Sequence, residues 1–90
     1  MESNKSTRIR PIPYDKEDKE LLRELGERIN RLRVEKKLMQ NELTNMAGVH
    51  KNFICIIENG VQNPSLLSLY NIIRALDTSL YEFFGGLYGK

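Results

Sequence analysis

The segment 51–58, KNFICIIE, carries side chains suited to contact the edges of nucleic-acid bases. A lysine can donate to guanine O6 and N7 or to a phosphate, and an asparagine can pair with adenine N6 and N7. If the segment is a helix with Ile54 and Ile57 turned inward, four side chains face outward. These are Lys51, Asn52, Cys55 and Ile56. The spacing therefore predicts a helix that reads double-stranded DNA from its outward face.

Two of these outward residues have alternative interpretations. Ile56 has no hydrogen-bonding group, and its methyls could pack on a thymine methyl. The alternative, that Ile56 joins the core or a protein interface, has equal weight. Ile54, Ile56 and Ile57 cannot all face one way on a helix. Cys55 could act as an oxidation switch on this face, but the favoured interpretation is a small surface residue.

This segment is the second half of a predicted two-helix corner over residues 39–60. Apolar residues recur at helical spacing on both sides of Gly48, at Leu43, Met46 and Ala47 before it and from Val49 after it. Gly48 is expected to leave the first helix in the left-handed conformation, and Asn59-Gly60 is expected to end the second. The whole chain is predicted to be all-α, with helices at 15–36, 40–47, 51–58, 65–76 and 79–84.

The 90 residues divide into an arm, 1–14, and one helical domain, 15–90. The arm holds Pro11 and Pro13 and shows no helical period, so we expect it to be flexible. Arg8 and Arg10 could reach DNA from this arm, although a disordered tail is the favoured interpretation.

Five short motifs in order resemble the Xre/Cro family of helix-turn-helix proteins, which have the lambda-repressor-like fold. The resemblance extends over about residues 22–84, and it implies a five-helix DNA-binding domain. The motifs are Leu25-Gly26-Glu27-Arg28-Ile29 through Leu32-Arg33, then Gln40-Asn41-Glu42-Leu43, Gly48-Val49, Ile54 through Ile57-Glu58-Asn59-Gly60, and Asn63-Pro64-Ser65-Leu66.

The resemblance also implies roles for residues outside the second helix of the corner. A glutamine at position 40 in related repressors bonds the DNA backbone, and the N-terminus of its helix, with Asn41, suits a phosphate. Arg33 and Glu58 occupy positions that often form a charge pair between the first helix and the reading helix. Phe53 is included in the predicted DNA-binding surface, and three polar residues after the reading helix are predicted phosphate contacts: Asn59, Gln62 and Asn63.

Several helix ends depart from the family pattern. Met39 stands where a serine or threonine usually caps the second helix, so a backbone N–H is expected to stay uncapped. Lys37 replaces a common glycine after the first helix. His50 lies at the N-cap position of the reading helix and is predicted to cap it. Asn63-Pro64 instead agrees with the family pattern and is predicted to open the fourth helix.

The C-terminal segment is more aromatic than one short helix can hide in a small domain. This excess predicts a two-fold dimer interface, with completion of the core as the alternative. The predicted interface residues are Tyr81, Phe83, Phe84, Leu87 and Tyr88.

Composition argues against other classes of protein. No apolar run is long enough to span a membrane and no secretion signal is evident, so a cytoplasmic location is expected. One His and one Cys cannot build a metal site or a catalytic triad, so no enzyme activity, metal or cofactor is predicted.

The predicted function is a repressor or autoregulatory controller that binds an inverted repeat as a homodimer. The alternatives are an antitoxin-type protein with a toxin partner and a protein–protein adaptor, and a toxin or polymerase is the expected kind of protein partner.

Overall fold

The computed structural model describes the backbone of residues 16–87 and the side chains of residues 16–85. The described residues form five helices and no strand, which confirms the predicted all-α fold. The helices are α1 (Lys16–Glu35), α2 (Gln40–Ala47), α3 (Phe53–Glu58), α4 (Leu66–Ala75) and α5 (Leu80–Leu87). Among these helices none combines the length and the apolar character that a membrane crossing requires.

The long helix α1 begins with acidic residues, Glu17 and Asp18, where the helix dipole favours negative charge. Its stripe of Leu22, Leu25 and Ile29 is buried, as the helical spacing predicts. The helix ends because Lys37 adopts a left-handed conformation, with φ of 58°. A residue with a Cβ is strained in that region, whereas a glycine is not.

The corner between α2 and α3 has the predicted left-handed glycine. Gly48 has φ of 68°, and its N–H donates to the Thr44 carbonyl over 3.0 Å. As predicted, the Met39 side chain makes no capping hydrogen bond to α2, although the N–H of Met39 itself donates to the Glu42 carboxylate over 2.8 Å. Met46 departs from its predicted place in the apolar stripe, since its side chain is exposed.

Serine hydroxyls cap α4 and α5. Ser65 accepts from the Ser68 N–H over 3.1 Å, so the cap of α4 lies at Ser65 rather than at Asn63-Pro64. Ser79 accepts from the Glu82 N–H over 3.0 Å, as its position in the sequence suggests. The last helix continues to Leu87, three residues beyond its predicted end.

A single apolar core joins the five helices. It forms where α1 contacts α3 and α5, and where α2 contacts α3 and α4. Phe83 lies in this core with 0% of its surface exposed, so its predicted place in a dimer interface is wrong. The fully buried side chains are Phe83, Ile29, Leu43, Ile54, Ile57, Ile72, Ile73 and Leu76.

Candidate nucleic-acid interface

The helix α3 is shorter at its N-terminus than the sequence predicts. A turn precedes it, in which the Phe53 N–H donates to the His50 carbonyl over 3.0 Å. Asn52 therefore occupies the N-cap position, and the prediction of His50 as the cap is wrong. The Asn52 side chain makes no capping hydrogen bond, so its amide is available to an external partner.

The two faces of this turn and helix are sharply different. Ile54 and Ile57 are buried, while Lys51, Asn52 and Cys55 are exposed. Ile56 is 37% exposed and points away from the core. The predicted outward face is thus a continuous surface of one cation, one amide, one thiol and one aliphatic side chain. Phe53, which was expected on that surface, is half-buried and packs against the core.

The N-terminus of α2 lies beside the C-terminus of α3. Gln40 Nε2 donates to Glu58 Oε1 over 2.9 Å, and the Gln40 side chain is half-buried. Asn41, next in α2, is exposed. The structure therefore joins Gln40 to the C-terminal end of α3, and it leaves Asn41 at the surface.

The carboxylate of Glu58 is the polar centre that joins three helices. Arg33 Nε lies 2.7 Å from Glu58 Oε2, and Arg33 Nη2 donates to Oε1 over 3.1 Å. Asn30 adds a third donor from α1, with Nδ2 3.0 Å from Oε1. Arg33 Nη1 also donates to the Leu38 carbonyl over 2.7 Å, which fixes the turn before α2. These bonds set α3 at one angle against α1 and α2.

Burial and hydrogen bonding act in opposite directions on this carboxyl group. Burial alone raises the pKa of Glu58, since it disfavours the charged form. The hydrogen bonds from Arg33, Asn30 and Gln40, with the charge of Arg33, outweigh burial and hold the pKa of Glu58 below its usual value of 4.5. The bond to Glu58 in turn raises the pKa of Arg33. The pair is therefore fully charged at neutral pH.

Close approach of α1 to α3 depends on Gly26. A Cβ at this position would lie 2.2 Å from the Ile57 carbonyl oxygen and 2.9 Å from that of Glu58. Sequence reasoning placed Gly26 in a motif without finding this contact, and it missed Asn30 altogether. The available signal for Asn30 was its place one helical turn before Arg33 on α1.

The loop after α3 begins with the expected left-handed stop, since Gly60 has φ of 76°. Asn59 and Asn63 are exposed and Gln62 is half-buried. Asn59, the C-cap of α3, has its Nδ2 3.7 Å from the Sγ of Cys55, one helical turn earlier.

The remaining predicted site residues are dispersed. Tyr81 and Phe84 lie on α5, and Tyr81 is 87% exposed. Arg8, Arg10, the arm 1–14, Tyr88 and the side chain of Leu87 lie outside the described residues. Over residues 16–87, no group of three or more His, Cys, Asp or Glu side chains is placed to hold a metal ion.

The helix-turn-helix class of proteins is defined by two short helices joined at a fixed angle, the second with an exposed outer face, packed on supporting helices. Helices α2 and α3 have this arrangement. The helix-turn-helix family HTH_3 matches residues 29–83. The chain belongs to this family and is of the Xre/Cro type of DNA-binding transcriptional regulators.

Two kinds of curated relative are similar to the chain. An HTH-type transcriptional regulator of Sinorhizobium fredii, y4dJ, is 34% identical over 58 residues, which are 64% of this chain and 75% of that protein. The HTH-type transcriptional regulator SinR of Bacillus subtilis is 38% identical over 58 residues. That match covers 63% of this chain and 52% of SinR, so the chain spans about half the length of that relative.

Solved structures of the restriction-modification controller protein C.Esp1396I have the same fold. Its tetramer in complex with its natural 35 base-pair operator aligns with a TM-score of 0.71 and 29% identity, over 77% of this chain and 91% of that chain. A single-substitution variant of the same controller aligns with a TM-score of 0.72 and 30% identity, over 77% of this chain and 87% of that one.

Proposed function

We propose that this chain is a sequence-specific regulator of transcription that binds an inverted repeat in double-stranded DNA as a homodimer, as a repressor or autoregulatory controller. The observation that carries the proposal is the outward face of α3, where Lys51, Asn52 and Cys55 are exposed while Ile54 and Ile57 anchor the helix. The major groove of B-DNA is wide enough to admit such a helix. The similar controller protein that binds its operator as a tetramer supports the same kind of activity.

Each outward side chain has a definite chemistry in the groove. Asn52 leads the helix as its N-cap, so its free amide enters first and can pair with adenine N6 and N7. Lys51 donates to guanine O6 and N7 or to a phosphate, depending on the register. Ile56 packs its exposed methyls against a thymine methyl. These three side chains, Lys51, Asn52 and Ile56, form the DNA reader of this proposal, which combines two polar contacts with one apolar contact.

Two flanking elements bind the DNA backbone in this proposal. The N-terminus of α2 presents its free N–H groups, Gln40 and Asn41 to one phosphate. The loop after α3 presents polar side chains and N–H groups to another phosphate. Such contacts fix the register of the protein on DNA and carry no sequence information. The loop residues are Asn59, Gln62 and Asn63.

The reader is tested by removing its two polar side chains together. DNA ligands are first selected from a randomised duplex library with the full chain, which should yield a two-fold symmetric motif with half-sites about 10 base pairs apart. The Lys51→Ala, Asn52→Ala variant should then bind the selected duplex at least about 30-fold more weakly for each half-site, since two contacts of roughly 1–3 kcal/mol each are lost there, with little change on random duplex.

The control variant is Lys19→Ala, Asn45→Ala, which loses the same side-chain types from exposed positions on α1 and α2. It should keep the preference for the selected duplex. Equal preference in the reader variant and the control would reject α3 as the reader, and failure of the wild-type chain to enrich any motif would reject sequence-specific binding.

We infer a dimer interface on α5 with the outward face of α4. Tyr81 is 87% exposed, and Leu66, Leu67 and Tyr70 are exposed on α4. A patch of this character is typical of homodimer interfaces, whose buried centres are more apolar than ordinary surface. The interface predicted from the sequence lies in the C-terminal segment alone and does not include α4.

Sedimentation of the full chain tests this interface. Wild-type protein should sediment as a dimer, and the Leu67→Glu, Tyr81→Glu variant should sediment as a monomer with unchanged helical circular dichroism. Val34→Glu is the matched control, because Val34 is also exposed but lies on α1. A dimeric mass in the double variant would place the interface elsewhere.

A further inference from the structure

The helix that would read DNA is too short to maintain its own position. It has six residues, Phe53–Glu58, whereas isolated helices shorter than about 12–15 residues are marginal in water. Its orientation therefore depends on tertiary contacts at its two ends. The buried Ile54 and Ile57 fix it against the core, and Glu58 fixes its C-terminus through hydrogen bonds.

We propose that Asn30 is a positioning residue for DNA recognition, which acts through Glu58 to set the angle at which Lys51 and Asn52 meet the base edges. This inference rests on the proposed function and adds a residue of α1, far from the reading face, that determines discrimination between DNA sequences.

The geometry of the Glu58 carboxylate gives Asn30 this role. The guanidinium of Arg33 bonds both oxygens in a fork, at 2.7 Å to Oε2 and 3.1 Å to Oε1. Such a fork aligns the two planar groups, but it ties Glu58 to α1 through one long side chain. Asn30 Nδ2 and Gln40 Nε2 bond Oε1 from α1 and α2, at 3.0 Å and 2.9 Å. Three donor groups on two helices thus hold the carboxylate against rotation.

Asn30 differs from Arg33 in what its loss would do to the fold. The Arg33 and Glu58 side chains are only 12% and 5% exposed, so removal of either leaves a buried charge unpaired. Asn30 is exposed, and loss of its amide leaves Glu58 with its remaining three hydrogen bonds. The fold should therefore tolerate substitution of Asn30, while the angle of α3 becomes less strictly defined.

Recognition is more sensitive to that angle than folding is. Binding groups have to be held within about 0.5 Å and 10–20° of their productive geometry. The reading residues lie at the opposite end of α3 from Glu58, about 9 Å away at 1.5 Å per residue, so a rotation at Glu58 displaces them. Phosphate contacts tolerate such a displacement because they carry no base information. Loss of Asn30 should thus reduce specific binding more than non-specific binding.

The test uses the full chain with Asn30→Ala and Asn30→Asp. The aspartate is nearly isosteric but replaces the donor by a second carboxylate, so it repels Glu58. Asn45→Ala and Asn45→Asp are matched controls on an exposed amide of α2, and they reproduce the change in net charge. Affinity is measured on a selected duplex and on a random duplex of equal length, with the thermal midpoint measured beside it.

We expect specific affinity to fall about three- to tenfold in Asn30→Ala and further in Asn30→Asp, relative to the matched Asn45 variants. Affinity for random duplex should match that of the controls, and the thermal midpoint of Asn30→Ala should stay within a few degrees of that of Asn45→Ala, as expected for the loss of one exposed hydrogen bond. An equal loss on both duplexes, a lowered midpoint that accounts for the loss, or no loss at all would overturn the inference. If the wild-type chain itself prefers no sequence, the proposed function fails and the inference fails with it, which is a distinct result.

Discussion

Replacing Gly26 by alanine should destabilise this protein, although the same change normally stabilises a helix. Alanine is favoured over glycine in helix interiors by about 1 kcal/mol. Gly26 lies in α1, where it contacts the C-terminal turn of α3. The new methyl would lie 2.2 Å from the Ile57 carbonyl oxygen, and the atoms it meets are backbone that cannot rotate away.

The magnitude follows from how far the two helices must separate. Non-bonded carbon contacts are most favourable at about 3.5–4.0 Å, so α1 and α3 would have to move apart by about 1 Å or more. Overpacking of this kind costs about 1–3 kcal/mol. The same movement stretches the bonds to Glu58, for about 1–2 kcal/mol more. After subtraction of the helix preference, we expect a net loss of about 1–4 kcal/mol, and each kcal/mol lowers the thermal midpoint by about 4–8 °C in a domain of this size.

Thermal and urea unfolding, followed by circular dichroism, measure this loss. Gly85→Ala is the matched control, because it makes the same change within α5 at a site where no atom lies within 4 Å of the added Cβ. Gly85→Ala should leave the midpoint unchanged or raise it slightly. A Gly26→Ala protein as stable as the wild type would show that α1 and α3 do not approach as closely as described, and the reasoning would fail.

Two further predictions concern charge and backbone strain. Glu58→Gln should cost about 3–5 kcal/mol at pH 7, because it leaves Arg33 partly buried without its partner. Since the pKa of Glu58 is lowered in the folded protein, its contribution is present above its usual pKa of 4.5 and is lost as the pH falls through the folded value. The difference between wild type and variant in urea unfolding should therefore shrink at pH 3.5, and a constant difference would contradict it. Lys37→Gly should raise the unfolding free energy by about 0.5–1 kcal/mol, because φ is 58° there; a lower thermal midpoint would refute the strain at this residue.

The sequence predicts best what depends on neighbours along the chain. Helical spacing identified the buried faces around Leu25 and Ile57, and the two left-handed glycines, Gly48 and Gly60, followed from the places where helices had to stop. The start of α3 was predicted two residues early. The backbone turn at His50 that precedes it is not visible in side-chain periodicity.

Contacts between distant residues were the harder part. The bond between Asn30 and Glu58 joins residues 28 apart, and no local pattern specifies it. Phe83 looked like a surface aromatic because its helix is short and rich in rings, yet α1 covers it and places Arg28 6.0 Å from the ring centroid. Gly26 matched a motif, but the carbonyl that it contacts belongs to another helix. The assignment of Arg8 and Arg10 to DNA stays a prediction.

Helix α3 uses different residues for packing and for its exposed surface, and this separation bears on how such a protein could change the DNA sequence that it binds. The buried isoleucines hold the helix, while Asn52, Cys55 and Ile56 face outward. These outward positions can be exchanged together with little effect on the interior, so one scaffold could acquire a new operator preference through a few codon changes. After gene duplication, one copy could in this way stop binding the operator of the original protein while it keeps the same stability.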